Sequence, residues 1–204
     1  MDPRRRVAKE AARLLYTGAV EEYKQAKEAA ARSLSVEALP SNYEVAMELD
    51  LLVEEVEGEE RKKLIIRMRE AALKVMRPLA DYDPRLIGSV WRGTARRGSD
   101  IDITVYAYWP EEVAGRLEAA RFSVEGIEEI TILKQGRPIS SHHINVRLRE
   151  GYEADVTVRS PEKKGEAERC EIYGDLKRGL TLPELEKLMR SDPLRKFVPR
   201  RRGR

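Results

Sequence analysis

The sequence is poor in cysteine and in long apolar runs, and each shortage excludes a class of protein. Cys170 is the one cysteine among 204 residues, so the chain cannot form an internal disulfide and differs from disulfide-rich secreted domains. No apolar run approaches the roughly 20 residues of a membrane-spanning helix. The first ten residues, MDPRRRVAKE, lack the apolar core of a signal peptide. We therefore expect a cytoplasmic protein with an inert thiol at Cys170.

Aromatic and amide side chains are also scarce. Aromatic residues make up 6% of the chain, which leaves few platforms on which single-stranded bases could stack. Asparagine and glutamine occur twice each, whereas charged residues make up 37%, and this balance favours a thermophilic source. The net charge of +3 at pH 7 is too small to identify a nucleic-acid-binding protein by itself.

The most informative stretch runs from Gly88 to Tyr106 and reads GSVWRGTARRGSDIDITVY. In its last part, Ile101–Tyr106, apolar residues alternate with polar ones, which predicts a half-buried strand. Residues two apart on a strand point to the same face, so Asp100 and Asp102 would place two carboxylates side by side. Such a pair repels itself and needs a cation, and hard oxygen ligands of this kind suit Mg²⁺.

The residues before this strand predict an anion-binding turn. Leu86 and Ile87 can end a short strand and Ser89 can begin a helix, which would direct backbone N–H groups and a hydroxyl at an anion. A helix N-cap is the ordinary role of such a serine, and the two roles are compatible. A phosphate cradle joined to a Mg²⁺-binding carboxylate pair indicates a protein that handles a nucleoside triphosphate.

The pattern of Gly88-Ser89, ten further residues and Asp100-x-Asp102 resembles the signature of the DNA polymerase beta-like nucleotidyltransferase superfamily. This superfamily includes CCA-adding enzymes, poly(A) polymerases, aminoglycoside nucleotidyltransferases and the minimal nucleotidyltransferases of prokaryotes. The run Arg92-Gly93-Thr94 followed by Gly98 is most similar to archaeal CCA-adding enzymes, and the ending Ser-Asp-Ile-Asp is more similar to the minimal enzymes. The sequence departs from the family pattern at Trp91, where members usually carry a small residue. The resemblance covers roughly residues 81 to 160.

The resembled family also uses a third carboxylate on a later strand. Apolar and polar residues alternate over residues 152–159, and Asp155 on the polar face is the candidate that matches the family pattern. Glu153 lies on the same face and is the main rival. In the preceding predicted strand, His142 and His143 are adjacent, so they face opposite sides and cannot both bind one metal ion. An ordinary structural role is expected for both, with one of them facing the nucleotide as the alternative.

The resemblance implies an enzyme that transfers a nucleoside monophosphate, AMP from ATP as the first choice, to an acceptor hydroxyl with release of pyrophosphate. The catalytic residues, which would also hold two Mg²⁺ ions (with Mn²⁺ as an alternative), are Asp100, Asp102 and Asp155. The nucleotide-binding residues would be Gly88, Ser89, Arg92 and Thr94. A solvated surface position is an equally good interpretation of Arg92, although guanidinium geometry suits phosphates.

The residues leave the acceptor open. RNA is favoured by the similarity to CCA-adding enzymes and by basic termini, which contain Arg4-Arg5-Arg6, Arg200-Arg201-Arg202 and Arg204. A solubilising tail would explain the same charges. A protein hydroxyl or a small molecule is the expected acceptor if the chain resembles the minimal or the antibiotic-modifying enzymes. Two alternatives of a different class are a non-catalytic NTP- or RNA-binding module and a helical scaffold. The oligomeric state is not indicated.

The pattern along the chain predicts an α+β fold, a nucleotidyltransferase-type mixed β-sheet with helices on one face, preceded by an N-terminal helical bundle. We expect a helical N-terminal domain (residues 1–80), a catalytic core (81–160), and a C-terminal helical segment with a basic tail (161–204). Four helical stripes come before residue 77, and the third begins behind a Ser-x-x-Glu capping box at Ser41 and Glu44 and ends near Gly58. Later elements are expected as strands at 101–106, 124–134, 140–150 and 152–159, with a turn at Gly136, and as helices at 111–121 and 181–189. The last helix has a Thr-x-x-Glu capping box at Thr181 and Glu184.

Overall fold

A computed structural model describes residues 2–134 and 137–199, without the side chains of residues 132–134 and 137–139. Its helices are α1 (Pro3–Tyr16), α2 (Tyr23–Leu34), α3 (Asn42–Met76), α4 (Gly88–Arg92), α5 (Pro110–Ala119) and α6 (Leu182–Ser191), with 3₁₀ helices at Arg77–Tyr82 and Pro161–Lys163. Its strands are β1 (Arg85–Leu86), β2 (Ile101–Tyr106), β3 (Ser123–Lys134), β4 (Arg137–Arg147), β5 (Glu153–Arg159) and β6 (Leu180–Thr181). The predicted turn at Gly136 and the basic tail from Arg200 lie outside the described residues.

The strands form one mixed sheet in the order β3-β4-β5-β2-β1-β6. β2 and β5 are parallel neighbours, and the other neighbouring pairs are antiparallel. The central strand β2 buries Ile101, Ile103 and Val105 completely, as their alternation with polar residues predicts. The mixed sheet with its helices confirms the predicted α+β class, and a helical N-terminal part comes before the sheet as expected.

The chain packs as two compact units. One comprises Met1–Arg61, Glu168–Leu176 and Val198–Arg204, and the other comprises Lys62–Ala167 and Lys177–Phe197. The second unit therefore contains the whole sheet and the Gly-Ser…Asp-x-Asp stretch. The three-domain division at residues 80 and 160 stays a prediction.

In the first unit, α1 and α2 pack through mostly small side chains. The buried ones are Val7, Ala8, Ala11, Ala12, Leu15, Ala26, Ala30 and Ala31. The predicted capping box before α3 is confirmed, because the Ser41 N–H donates to Glu44 Oε2 at 2.7 Å and the Glu44 N–H donates to Ser41 Oγ at 3.3 Å. Among the described helices, none combines the length and the apolar character that crossing a bilayer requires.

The third and fourth predicted helices together make up α3, which consists of two helical segments that meet at a kink, and the predicted helix end near Gly58 is confirmed. The backbone at Gly58 is non-helical, with φ of +48°, so the helix is interrupted and kinked at this residue. After the kink, the buried side chain of Arg61 reaches back along α3. It donates one hydrogen bond to Asp50 Oδ1 at 2.6 Å and one to Glu54 Oε2 at 3.0 Å. These ion pairs hold the two sides of the kink together.

The elements after β2 agree with the predictions to within a few residues, with one addition. The crossover helix α5 begins at Pro110, the position at which proline suits a first helical turn. α6 begins behind the predicted capping box of Thr181 and Glu184. The strand β6 was not predicted, since two residues are too short a run to show periodicity.

Candidate active site

The parallel pair β2 and β5 brings two of the predicted catalytic carboxylates together. Asp102 and Asp155 are partners in the register of the two strands. Partner residues project to the same side of a sheet, so both side chains lie on one face. Asp100 lies one residue before β2, where its side chain is exposed. The structure therefore gathers the three predicted carboxylates at the start of the central strand.

Gly88 lies against Asp102. The Ile87 N–H donates to the Asp102 carbonyl at 2.9 Å, which ties the end of β1 to the start of β2. Gly88 has φ of +68°, and a Cβ atom built on it would lie 1.8 Å from Asp102 Oδ2. Only glycine therefore allows the backbone of the turn to approach the carboxylate this closely.

Ser89 lies at the start of α4, and Thr94 lies just after its end. Ser89 is half-buried as the second residue of α4, and Ile87 is the N-cap, so the alternative in which Ser89 caps the helix is wrong. The Thr94 N–H donates to the Ser89 carbonyl at 3.0 Å, which closes the chain after α4. This hydrogen bond fixes the backbone of the segment that begins at Ser89.

The carboxylates oppose one another's ionisation. Burial, followed by the charges of Asp155 and Asp100, raises the pKa of Asp102 to about 6, against the smaller lowering effects of Lys177 and His143. Partial loss of water around its carboxyl group, followed by the charges of Glu153 and Asp155, also raises the pKa of Asp100. A bound cation would counteract both increases in pKa, because it favours the ionised form of every ligand it contacts.

Asp155 has one engaged oxygen and one unpaired oxygen. Its Oδ2 lies 2.7 Å from Nδ1 of His143. Its Oδ1 is shielded from solvent and has no hydrogen-bond partner among the described residues. An unpaired buried acceptor costs about 1–3 kcal/mol, so such an atom calls for a partner that the protein itself does not provide.

These carboxylates fit a divalent cation in the chemistry of their donors. They offer hard oxygen ligands, and their pKa shifts and the unpaired Oδ1 of Asp155 are the features that a bound cation would relieve. Within the described residues, however, no three His, Cys, Asp or Glu side chains already form a group that could hold a metal ion.

Arg92 lies in the protein interior. It is 3% exposed, its Nη1 donates to the Phe197 carbonyl at 2.8 Å, and its guanidinium lies 4.4 Å from the centre of the Trp91 ring. The Phe197 N–H in turn donates to the Arg92 carbonyl at 2.9 Å. Trp91, the residue that departs from the family pattern, is buried and stacks on Phe197. Arg92 thus connects α4 to the segment after α6, a role that the sequence did not predict.

Arg69 is a supporting residue that sequence reasoning missed. It is fully buried, and its guanidinium donates to four backbone carbonyls, those of Val90, Trp91, Pro193 and Arg195, at 2.6–3.1 Å. Burial lowers the pKa of Arg69 to about 10, with Asp192 acting in the opposite direction. Arginine within a helical stripe usually reads as a solvated position, so no sequence signal distinguishes this one.

Lys177 is a second residue that sequence reasoning missed. The pairing of β6 with β1 brings residue 177 beside the turn, and the charge of Lys177 lowers the pKa of Asp102. The approach is close at Gly179, where φ is +64° and a Cβ atom would lie 2.7 Å from the Leu86 carbonyl oxygen. The positive charge of Lys177 therefore acts on the Asp102 carboxylate.

The nucleotidyltransferase domain family model matches residues 66–172, just over half of the chain. The chain belongs to the nucleotidyltransferase family. The match includes the Gly88 turn, Asp100, Asp102 and Asp155, whereas Lys177 lies beyond its end. The family assignment agrees with the resemblance that the motif spacing shows.

Two solved structures are similar to this nucleotidyltransferase. One is of a cytoplasmic RNA terminal U-transferase, at 17% identity and a TM-score of 0.29, covering 58% of this chain and 34% of that one. The other is of the Cid1 poly(U) polymerase bound to MgGTP, at 18% identity and a TM-score of 0.28, covering 55% of this chain and 38% of that one. The chain thus spans little more than a third of either, and likenesses this weak carry no argument about substrate. No curated protein matches the sequence.

Proposed function

We propose that this nucleotidyltransferase transfers AMP from ATP to an acceptor hydroxyl and releases pyrophosphate. The observation that carries the proposal is the register pair of Asp102 and Asp155, placed against the Gly88 turn. The carboxylates would hold divalent cations, and the turn would bind the triphosphate. The choice of ATP rests on the resemblance to CCA-adding enzymes.

Each residue of the site has a separate task in this proposal. Asp100 and Asp102 would hold two Mg²⁺ ions, or Mn²⁺, and Asp155 would share one of them. Two such ions, when bound, neutralise phosphate charge and lower the pKa of the acceptor hydroxyl. The Ser89 hydroxyl and the neighbouring N–H groups would hold the phosphates of the leaving pyrophosphate. Lys177, whose charge acts on Asp102, would attract the triphosphate to the carboxylates.

The surroundings of the carboxylates favour an acceptor with positive charge over RNA. A cavity of about 480 Å³ opens beside them, and the acidic residues in its wall are Asp100, Glu125, Glu128, Glu153 and Asp155. Arg147, also in the wall, is paired with Glu125 and Glu153. A phosphate backbone would be repelled here, whereas a cationic small molecule or a basic protein segment would be attracted. A cationic acceptor is therefore our second candidate. The first candidate, RNA, is favoured by the basic termini.

Transfer assays with labelled nucleotides test the proposal. The protein is incubated with Mg²⁺ and each α-³²P-labelled NTP in turn, with total RNA, a cationic small-molecule panel, and cell protein as separate acceptors. We expect label from ATP in one acceptor fraction and none with Asp102→Asn. Binding of ATP without transfer or pyrophosphate release in any fraction would favour the non-catalytic binding module instead.

A matched pair of variants tests the role of the cavity. Glu128→Gln removes a negative charge from the cavity wall, and Glu129→Gln removes one from the next residue of β3, which is absent from that wall. For a cationic acceptor, we expect Glu128→Gln to raise the KM several-fold and Glu129→Gln to leave it unchanged. An RNA acceptor would show a lower KM with Glu128→Gln, and this result would contradict the cationic candidate.

A further inference from the structure

Three side chains on neighbouring strands form a hydrogen-bonded chain that ends at Asp155. The Ser141 Oγ lies 3.0 Å from His143 Nε2, and His143 Nδ1 lies 2.7 Å from Asp155 Oδ2. In the antiparallel register of β4 and β5, His143 pairs with Thr157 and Asn145 pairs with Asp155, so all of these residues share the active-site face. His142 is on the opposite face.

The two contacts of His143 give its ring a fixed orientation. A carboxylate oxygen only accepts hydrogen bonds, so Nδ1 is the ring nitrogen that donates to Asp155. Nε2 is then available to accept the Ser141 hydroxyl. The ring is held at both ends, and its side chain is 20% exposed, so it has little freedom to turn away from Asp155.

His143 in turn restricts Asp155. Its hydrogen bond occupies Oδ2, so the carboxylate cannot rotate without breaking that contact, and Oδ1 is left as the unpaired buried atom. Asp155 is the register partner of Asp102 in the parallel pair of β2 and β5, so the two carboxylates lie beside each other on one face of the sheet.

We propose that His143, supported by Ser141, is a positioning residue that holds Asp155 with Oδ1 ready to bind a divalent cation. The inference rests on the proposed function, in which Asp155 is the third metal-binding carboxylate. A partner of this kind behind a metal ligand commonly changes metal affinity by about 10- to 100-fold when it is removed.

The test measures Mn²⁺ binding by electron paramagnetic resonance in the full chain, without nucleotide, so that activity plays no part. His143→Ala removes the donor, and His143→Gln moves it to the position of Nε2. His143→Asn keeps a donor at the position of Nδ1 and is the conservative variant. His142→Ala is the matched control on the opposite face, and Asp155→Ala shows what loss of the ligand itself does.

We expect Mn²⁺ to bind at least about 10-fold more weakly to His143→Ala and His143→Gln, with affinity close to wild type in His143→Asn and His142→Ala. Thermal unfolding of each variant shows whether it is folded, and the asparagine variant tests the donor even where the alanine variant is unstable. Wild-type affinity in His143→Ala together with weak binding in Asp155→Ala would overturn the positioning role and leave the proposed function intact. Wild-type affinity in Asp155→Ala would overturn both.

Discussion

At the scale of single residues, the contact between Gly88 and Asp102 determines the geometry of the site. The glycine combines a positive φ with a missing Cβ atom, and both properties are needed for the backbone to reach the carboxylate. Burial and the charges of neighbouring acidic residues raise the pKa of Asp102. These two residues lead to separate predictions.

Gly88→Ala should abolish most activity. The new methyl group would displace Asp102, and a misplacement of about 1 Å commonly costs roughly 100-fold in rate. Gly151→Ala is the matched control, since Gly151 also has a positive φ, +85°, but has no atom within 4 Å of an added Cβ. Initial rates of pyrophosphate release would be compared, and equal losses in the two variants would show that backbone strain alone is responsible.

Asp102→Asn should change how stability depends on pH in the absence of divalent cations. Because the pKa of Asp102 is raised in the folded protein from 3.8 to about 6, folding favours the protonated form. Its stabilising contribution is complete below about pH 4 and is lost as the pH rises to about 6. A shift of roughly two units corresponds to about 3 kcal/mol.

Urea unfolding from pH 4 to pH 7 checks this prediction. Wild type should lose up to about 3 kcal/mol relative to Asp102→Asn over that range, since asparagine carries no charge at any of these pH values. If the free energies of unfolding of the two proteins changed with pH in parallel, this result would contradict a raised pKa at Asp102.

At the scale of elements, the five-residue helix α4 depends on side chains from outside it. Arg69 in α3 donates to the carbonyls of Val90 and Trp91, and Arg92 exchanges hydrogen bonds with Phe197. A helix this short has little stability of its own, so these contacts hold the turn that carries Ser89.

Arg69→Met should destabilise the protein by about 3 kcal/mol or more. The substitution keeps the apolar stem but leaves four carbonyls without their donor, each of which costs about 1–3 kcal/mol when it stays buried. Arg67→Met, at an exposed position of the same helix, is the control and should have little effect. A small loss in Arg69→Met, measured by urea unfolding, would mean that water replaces the guanidinium.

The elements that the sequence predicts well are those with a strong local pattern. The alternation around Asp102 and Asp155 predicts β2 and β5, and the capping boxes at Ser41 and Thr181 predict two helix starts. The glycine at position 58 likewise predicts the helix end that the structure shows as the kink in α3. The partners of Arg69 and His143 depend on long-range packing, which leaves no mark in a local pattern.

At the scale of the whole molecule, the family and the fold class follow from the motif spacing, whereas the acceptor does not. The family model covers the segment that holds the predicted carboxylates. The acceptor depends on the shape and charge of the cavity beside them, which combines residues from three strands and the Asp100 loop. Such a surface cannot be assembled from the sequence without the register of those strands.

Bound Mg²⁺ should stabilise the chain against unfolding, and the free energy of unfolding should increase as the Mg²⁺ concentration rises. At ten times its dissociation constant, a ligand that binds only the folded state adds about 1.4 kcal/mol. Thermal unfolding should therefore shift upward with Mg²⁺ in wild type and not in Asp102→Asn. An equal shift in both proteins would place the binding of Mg²⁺ elsewhere.

The most direct test of the central claim compares Asp155→Asn with Glu153→Gln in Mg²⁺-dependent release of pyrophosphate from ATP, with the acceptor that the labelling assay identifies. Both residues are on β5, point to the same face and line the same cavity, but only Asp155 pairs in register with Asp102. We expect Asp155→Asn to abolish release and Glu153→Gln to retain most of it. Substantial release by Asp155→Asn would contradict the assignment of Asp155 as the third catalytic carboxylate.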